Sequence, residues 1–560
     1  MRNGRFGKIW GHHTYLPTEQ SAAWTLGTSP RASITAGNKG VGRLTGLASQ
    51  NGSIAYTYDA RGNITRERRT IGGQVHDVDY AYNAADAVTE IIYPSGRRVT
   101  YTRDTTGRIT GVTTKQTAAS APVDVATSIV RQPISNIVKS LIAGNGLSEA
   151  NTHTLDYEHS VCTVSDGVTP VISKSYARAD ALNLTGITDN IAGPQSQSFA
   201  YSPANRMTSA TGPFGALTYT YDGVGNRTGE TFTPPGGGAT ARVLNYPAAS
   251  NKLSSVTIGA ATDRSFTYDG AGNTLGDTRA ATLYAATYNK RNRLETMTVG
   301  GSLKGTYTYN GLEQLSIRVL SNMVPAGTTH FIHDQWGNVI AETAGGGASG
   351  PTGTVRECIW LPEAEIAPTM GSRAQVDRPL GVVDGVNATP VLYFVHADHL
   401  NRPVRMTNAA KNSVWDASWW PFGAGLTITG PAALDARFPG QWFQLESSLH
   451  YNWHRHYDPS LGRYTQPDPL GFVDGPSVYG YVRAQPQSLT DFEGLMSSPT
   501  RARARRTATR TTRATGSTRC RSRAWCRRPI RITRWSSSPS APRSPAARRR
   551  RITSTTGLGT

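Results

Sequence analysis

A ten-residue pattern recurs through most of this chain and leaves few folds open to it. The pattern reads aromatic-x-Tyr-Asp, two variable residues, Gly-Asn or a similar turn, and then a Thr-rich stretch. Clear copies are YTYDARGNIT at 56–65, YTYDGVGNRT at 219–228 and FTYDGAGNTL at 266–275. Weaker copies are YAYNAADAVT, YTRDTTGRIT, FAYSPANRMT, ATYNKRNRLE and YTYNGLEQLS, with a degenerate FIHDQWGNVI at 331–340. The second aromatic recurs at Tyr201 and Tyr221, 20 residues apart, and at Tyr268, Tyr288 and Tyr309, 20 and 21 apart.

In an extended chain alternate side chains share a face, so both aromatics of each copy lie on one side of a strand. The Asp caps its own turn, and the following Gly or Asn tolerates a positive φ. Each copy is then about one β-hairpin, which cannot bury its face alone. Stacked copies bury a continuous face and line up their tyrosines, so the default role of every repeat residue is structural. Composition agrees. Tyr (24) is twice as frequent as Phe (12), with 58 Gly and 32 Pro. The predicted fold class is all-β.

Charge is unevenly placed. Residues 496–560 hold 18 Arg and no Lys, Asp or Glu; removing that +18 from the whole-chain +20 leaves +2 for residues 1–495. The body therefore makes no electrostatic case for nucleic acid. The four cysteines, Cys162, Cys358, Cys520 and Cys526, show no C-x-x-C spacing, and neither a disulfide framework nor a zinc site follows. No phosphate-binding glycine loop or G-x-S-x-G nucleophile motif stands out, and no cofactor is implied. No apolar run reaches the length of a spanning helix, and the N-terminus lacks the apolar core of a secretory signal peptide. The expectation is a chain that leaves the cell by another route or that begins inside a longer parent.

From these residues the sequence resembles a known family. Its repeats are similar to the YD repeats of rearrangement-hotspot (RHS) proteins, shared with the C subunits of bacterial insecticidal toxin complexes and with teneurins. LIAGNGL at 141–147 looks like a variant repeat of that family. VHADHLNRPVRMTN at 395–408 resembles the tract leading into the family's core domain. FPGQ at 438–441 and LHYNWHRHYDPSLGRYTQPDPLG from Leu449 resemble the RHS repeat-associated core. The resemblance covers about residues 40–495.

The resemblance implies a spiral sheet forming a hollow shell, here a partial one, closed by a C-terminal core plug. The expected organisation is an irregular leader or truncated repeat at 1–37, a YD-repeat shell at 38–350, the core domain at 351–495, and an Arg-rich disordered tail at 496–560. That tail stands where the family carries a variable toxin held inside the shell. Three readings of it are open: a segment binding nucleic acid or anionic membrane, a disordered linker, or non-native sequence from a GC-rich gene read out of frame. The last is favoured, because the segment lacks hydrophobic periodicity.

The resemblance also implies chemistry. The family core cuts its own chain with two aspartates in an aspartic-protease-like arrangement. The matching residues are Asp468 in QPDPLG and Asp491 in LTDFEGL, supported by Arg463 in LGRYTQ, with the cut between Leu495 and Met496. Two close carboxyls share a proton, so one can act as base on water while the other polarises the carbonyl. Without the family, both aspartates read as turn formers. The sequence departs from the pattern in two places: Phe492 stands where the family has proline, and RAQPQ at 483–487 stands where the family has an asparagine-rich N-P segment. Two histidine tracts, His396 with Asp398 and His399, and His454 with His456 and Asp458, carry side chains that could share a face. No third and fourth ligand is identifiable, so buried or turn-capping roles are preferred over metal.

The leading reading is the shell of a bacterial polymorphic toxin that encapsulates and delivers a C-terminal effector in interbacterial competition, with single-turnover aspartyl autoproteolysis after Leu495. The expected partners are that effector and a secretion-system or toxin-complex component, and the expected location is secreted or cell-surface. The alternatives are a surface adhesin or carbohydrate-binding protein, with glycan stacked on Tyr and Trp, and an inactive remnant of a toxin locus.

Overall fold

The computed structural model describes residues 23–26, 39–40, 42–49, 51–133, 137–191, 195–345, 353–362 and 377–499. The expected tail from residue 500 onward, and the expected leader apart from the strand Ala23–Leu26, lie outside the described residues.

Among the described residues thirty-four strands form one antiparallel sheet, from Ala23–Leu26 to Gly425–Thr429. Each strand pairs with the next in sequence, as at Gly52–Tyr58 with Ile64–Ile71 and at Ser302–Tyr309 with Leu315–Leu320. The sheet is thus a single meander. It runs on past residue 350 through Thr354–Leu361, Arg378–Asp384, Val391–Ala397, Pro403–Thr407 and Ser413–Trp419. Among the described residues no helix is long and apolar enough to cross a membrane.

The repeat motif builds its own hairpin turn. At residues 59–63 the Asp59 amide donates to Asn63 O at 3.0 Å and the Gly62 amide to Asp59 O at 3.2 Å. The Asp59 carboxylate accepts from the Arg61, Gly62 and Asn63 amides at 2.7–2.9 Å. Gly62, at φ 94°, supplies the left-handed step after the turn, and the register shifts there between Thr57 and Tyr58. This is a three-residue hairpin loop closed by a bulge. Where the motif lacks glycine, Asn205 (φ 60°) and Asn292 (φ 58°) take the same step.

Two further bonds join each copy to its neighbours. The motif Asn binds its own Asp and reaches the next turn: Asn273 Nδ2 donates to Asp269 Oδ2 at 2.8 Å and to Asn292 Oδ1 at 2.9 Å. Asn63 and Asn226 do the same with Asp86 and Asn251. The second tyrosine donates backwards to a carbonyl just after the preceding turn: Tyr221 to Met207 O, Tyr268 to Leu253 O and Tyr288 to Thr274 O, at 2.8–3.0 Å. A spacing near 20 residues is therefore the length at which each hydroxyl meets its carbonyl.

Alternation leaves one face apolar and buried, as in the strand Gly52–Tyr58, where Ile54, Tyr56 and Tyr58 are buried. Strands from residues 44–143 share one core with strands from residues 332–386. Arg97 pairs with Glu357 and Arg378 with Glu149, each at 2.5 Å, across this junction. Tyr93 and Tyr101 donate to the Cys358 and Trp360 carbonyls. In this portion the inner face is filled by facing strands.

Candidate functional site

After the meander the chain forms a small four-stranded antiparallel sheet: Trp442–Gln444, Leu449–Asn452, Arg455–Asp458 and Arg463–Tyr464. Both faces of the middle strands are buried, so polar side chains on them must find partners inside. Several bonds run from this region to the meander. Arg264 Nη2 reaches Asp458 at 2.7 Å, Tyr307 Oη donates to Glu446 at 2.6 Å, and the Leu315 amide donates to Tyr451 Oη at 2.8 Å. Burial alone would raise the Asp458 carboxyl, but Arg264, Arg279 and Ser460 together hold it below the usual carboxylate range.

The chain between the two candidate aspartates turns back through Val482, Arg483 and Ala484, all left-handed at φ 41–58°. Such residues cost about 1–2 kcal/mol each, and the buried Tyr481 and Val482 hold the segment in place. The reversal delivers Asp491 to Asp468. Arg455 stands between them, its Nη2 3.0 Å from Asp468 Oδ2 and 3.1 Å from Asp491 Oδ2. All three side chains are at most 3 % exposed.

Asp491 is the more closely held carboxylate. Tyr464 Oη donates to its Oδ2 at 2.7 Å, and Asn452 Nδ2 bridges Tyr464 Oη and the Asp491 carbonyl at 2.8 and 2.9 Å. Its Oδ1 accepts from the backbone amides of Leu495 at 2.9 Å and Met496 at 3.2 Å. Arg455 Nε donates to Gly494 O at 2.6 Å. Gly494 is required here: its φ is 67°, and a Cβ would sit 2.4 Å from Asn452 O. Asp468 accepts from the Leu470 amide at 2.8 Å. Burial pushes its carboxyl up to about 6, with Asp491 and Asp474 adding to the effect and Arg455 and the Leu470 amide opposing it. The peptide joining Leu495 to Met496 therefore lies on one carboxylate of a charge-bridged pair, with the second carboxyl on the other side of the bridging cation.

Arg463 lies elsewhere, and this corrects its expected place beside the aspartates. It donates to Tyr246 Oη at 2.8 Å and to Asn251 O at 2.7 Å, both on the meander. The reason is strand alternation. Tyr464 faces Asp491, so its neighbour Arg463 must face the other way. Arg455 stands between the two aspartates instead. The sequence carried a usable signal for it, since in RHYD alternation puts Arg455 and Tyr457 on one face and His456 with Asp458 on the other. Tyr464 and Asn452 carried no such signal. Phe492 packs against Trp453, ring centroids 6.5 Å apart, and leaves Asp491 within reach of Arg455.

The histidines are spread apart by the fold. His396 Nε2 meets Thr407 Oγ1 at 2.9 Å, and His399 Nε2 meets Gln487 O at 3.0 Å. His454 meets Glu493 O, and His456 sits among Tyr307 and Tyr451. Burial pushes the imidazoles of His396, His399 and His456 down to about 3. Asp398 pairs with Arg402 at 2.7 Å. Among the described residues no group of three or more His, Cys, Asp or Glu is placed to hold a metal ion.

Comparison with known proteins agrees with the meander. The Teneurin YD-shell family model matches residues 19–134. The toxin protein Tse5 of Pseudomonas aeruginosa is 36% identical over 103 residues, 18% of this chain and 8% of Tse5. The probable deoxyribonuclease RhsA of Dickeya dadantii is 48% identical over 63 residues, 11% of this chain and 4% of RhsA. This chain spans less than half the length of the curated relatives it matches. The fold is that of the TcdB2–TccC3 chain in the TcdB2–TccC3–Cdc42 crystal structure, with a TM-score of 0.70 at 14% identity over 85% of this chain and 25% of that one. The tyrosine-laddered meander, the match to the YD-shell model over residues 19–134 and the toxin relatives make this chain similar to the RHS/YD-repeat shell proteins.

Proposed function

We propose that the chain is the container part of a bacterial toxin protein: a YD shell that encloses a C-terminal effector and cuts its own backbone between Leu495 and Met496. One observation carries the cutting step. The Asp491 carboxylate holds the amides on both sides of the Leu495 carbonyl, while Arg455 joins it to Asp468. The toxin relatives and the likeness to a toxin-complex shell support an enclosed effector or a toxin-complex partner, and secretion or delivery out of the producing cell.

In this reading the two aspartates divide the work of hydrolysis. A water loses a proton to Asp491 as its oxygen bonds to the Leu495 carbonyl carbon. Asp468, whose raised carboxyl keeps a proton to higher pH than usual, donates a hydrogen bond to the developing oxyanion. The C–N bond then breaks and Asp491 passes its proton to the Met496 nitrogen 3.2 Å away. The products are a Leu495 carboxyl and a Met496 amine, and the carboxyl proton passes to the more basic amine to leave a carboxylate and an ammonium. Arg455 offsets the negative charge of the pair throughout.

The test is expression of the full chain beside its Asp491→Asn variant, with N-terminal sequencing of any small fragment. A fragment starting at Met496 in the parent and missing from the variant supports the cut; identical full-length bands from both end it. Retention of the fragment by the body through size-exclusion chromatography tests enclosure separately.

A further inference from the structure

A third acidic side chain lies beside the pair. Asp474 ends a short 3₁₀ turn, Gly471–Asp474, that begins just after Asp468. Its side chain is 10 % exposed and pairs with Arg483 Nε at 3.1 Å. Its Oδ1 accepts from Ser497 Oγ at 2.5 Å. Burial raises the carboxyl; Ser497 and Arg483 oppose that, and Asp491 adds to it.

Ser497 is the second residue beyond the Leu495–Met496 bond. Beyond it, Ser498–Pro499 pairs antiparallel with Leu489–Thr490, and Ser498 Oγ reaches Thr490 O. The backbone is thus gripped on both sides of one peptide: upstream by Arg455 on Gly494 O, downstream by Asp474 on Ser497. Only the downstream grip depends on the side chain of a residue past the bond.

We propose that Asp474 is a positioning residue for self-cleavage and that it selects a hydroxyl-bearing residue, serine or threonine, at the second position after the cut. This rests on the cleavage reading above and adds a sequence requirement on the segment to be released. A side chain without a hydroxyl at 497 leaves the Asp474 carboxylate one donor short in a mostly buried place. The Leu495–Met496 peptide then loses one of the anchors that keep it against Asp491. A group acting through position alone changes the rate without taking part in proton transfer.

Two measurements test this, and they fail separately. In the parent chain, Ser497→Ala and Asp474→Asn should each slow fragment appearance about tenfold or more, the worth of one hydrogen bond to a charged group, and Ser497→Thr should keep the parent rate. Equal rates in all four chains overturn the proposal. If the parent does not cut, the cleavage reading fails, and the grip is judged by amide hydrogen exchange over residues 494–499 in the Asp468→Asn background. Faster exchange with Ser497→Ala, restored by Ser497→Thr, supports the grip; unchanged exchange overturns it.

Discussion

The meander and the plug are built from similar residue types but are stabilised in opposite ways. In the meander the same few bonds recur: Asp to its own turn, Asn to the next turn, Tyr to the carbonyl before it. Most link residues fewer than 25 apart, and losing one leaves the others intact. In the plug the bonds that join the two aspartates are used once, and those made by Arg455 span long loops. Arg455 alone holds Asp468, Asp491 and Gly494. Redundant local bonding suits a wall, which must tolerate change in any one copy. Singular long-range bonding suits a site, where three groups must meet in one geometry.

The comparison breaks most visibly at Arg455. Arg455→Leu leaves two buried carboxyls facing each other without their shared cation. A loss of about 3–5 kcal/mol in stability is expected, read as a lower denaturation midpoint, together with loss of the fragment starting at Met496. A change as small as that from a repeat-turn substitution would show that the plug is as redundant as the wall.

At Gly494, Ala must adopt a positive φ with its Cβ against Asn452 O. A cost of roughly 1–3 kcal/mol is expected, with release of the Arg455–Gly494 bond. In the meander, Tyr288→Phe removes one hydroxyl bond and should cost about 1 kcal/mol. Chemical denaturation of both variants ranks them; a larger effect at Tyr288 would reverse the contrast. The smallest effect is expected at Arg68, half exposed and paired with Asp77 at 2.8 Å. Arg68→Gln should change stability by about 0–0.5 kcal/mol.

pH sharpens the same contrast. The Asp468 carboxyl is raised to about 6, so the folded plug binds its proton more readily than the unfolded chain does. Its contribution is fully present below the unfolded value and is lost as pH rises through about 6. The cut rate should fall over the same range as the proton leaves. Asp458 has the opposite sign: it is held low, so its contribution is present above the unfolded value and lost in acid. A cut rate that rises through pH 6 would remove Asp468 from the proton-bearing role.

The all-β class, the hairpin unit and the tyrosine register are legible in the sequence because they are local. A YxYD-xx-GN copy contains both its strand alternation and its turn, and the 20-residue spacing of Tyr268 and Tyr288 already encodes the ladder. Asp468 and Asp491 were also legible, but through resemblance, since D-P and T-D alone are turn dipeptides. Arg463 was misplaced and Arg455 missed for one reason: both are arginines in short strands of the same small sheet. Alternation groups Arg455 with Tyr457 and sets Arg463 opposite Tyr464, but which of those faces meets the aspartates is decided by the tertiary fold and by no local pattern. Asp474 gave no signal, because its partner Ser497 lies across the chain reversal at Val482–Ala484.

The sequence by itself determined the wall, since a repeat that closes its own turn and binds its neighbour needs only adjacent copies. Tertiary structure decided the site. Only the folded C-terminal region puts one guanidinium between two carboxylates 23 residues apart in sequence, and only there does low local polarity make their charges matter.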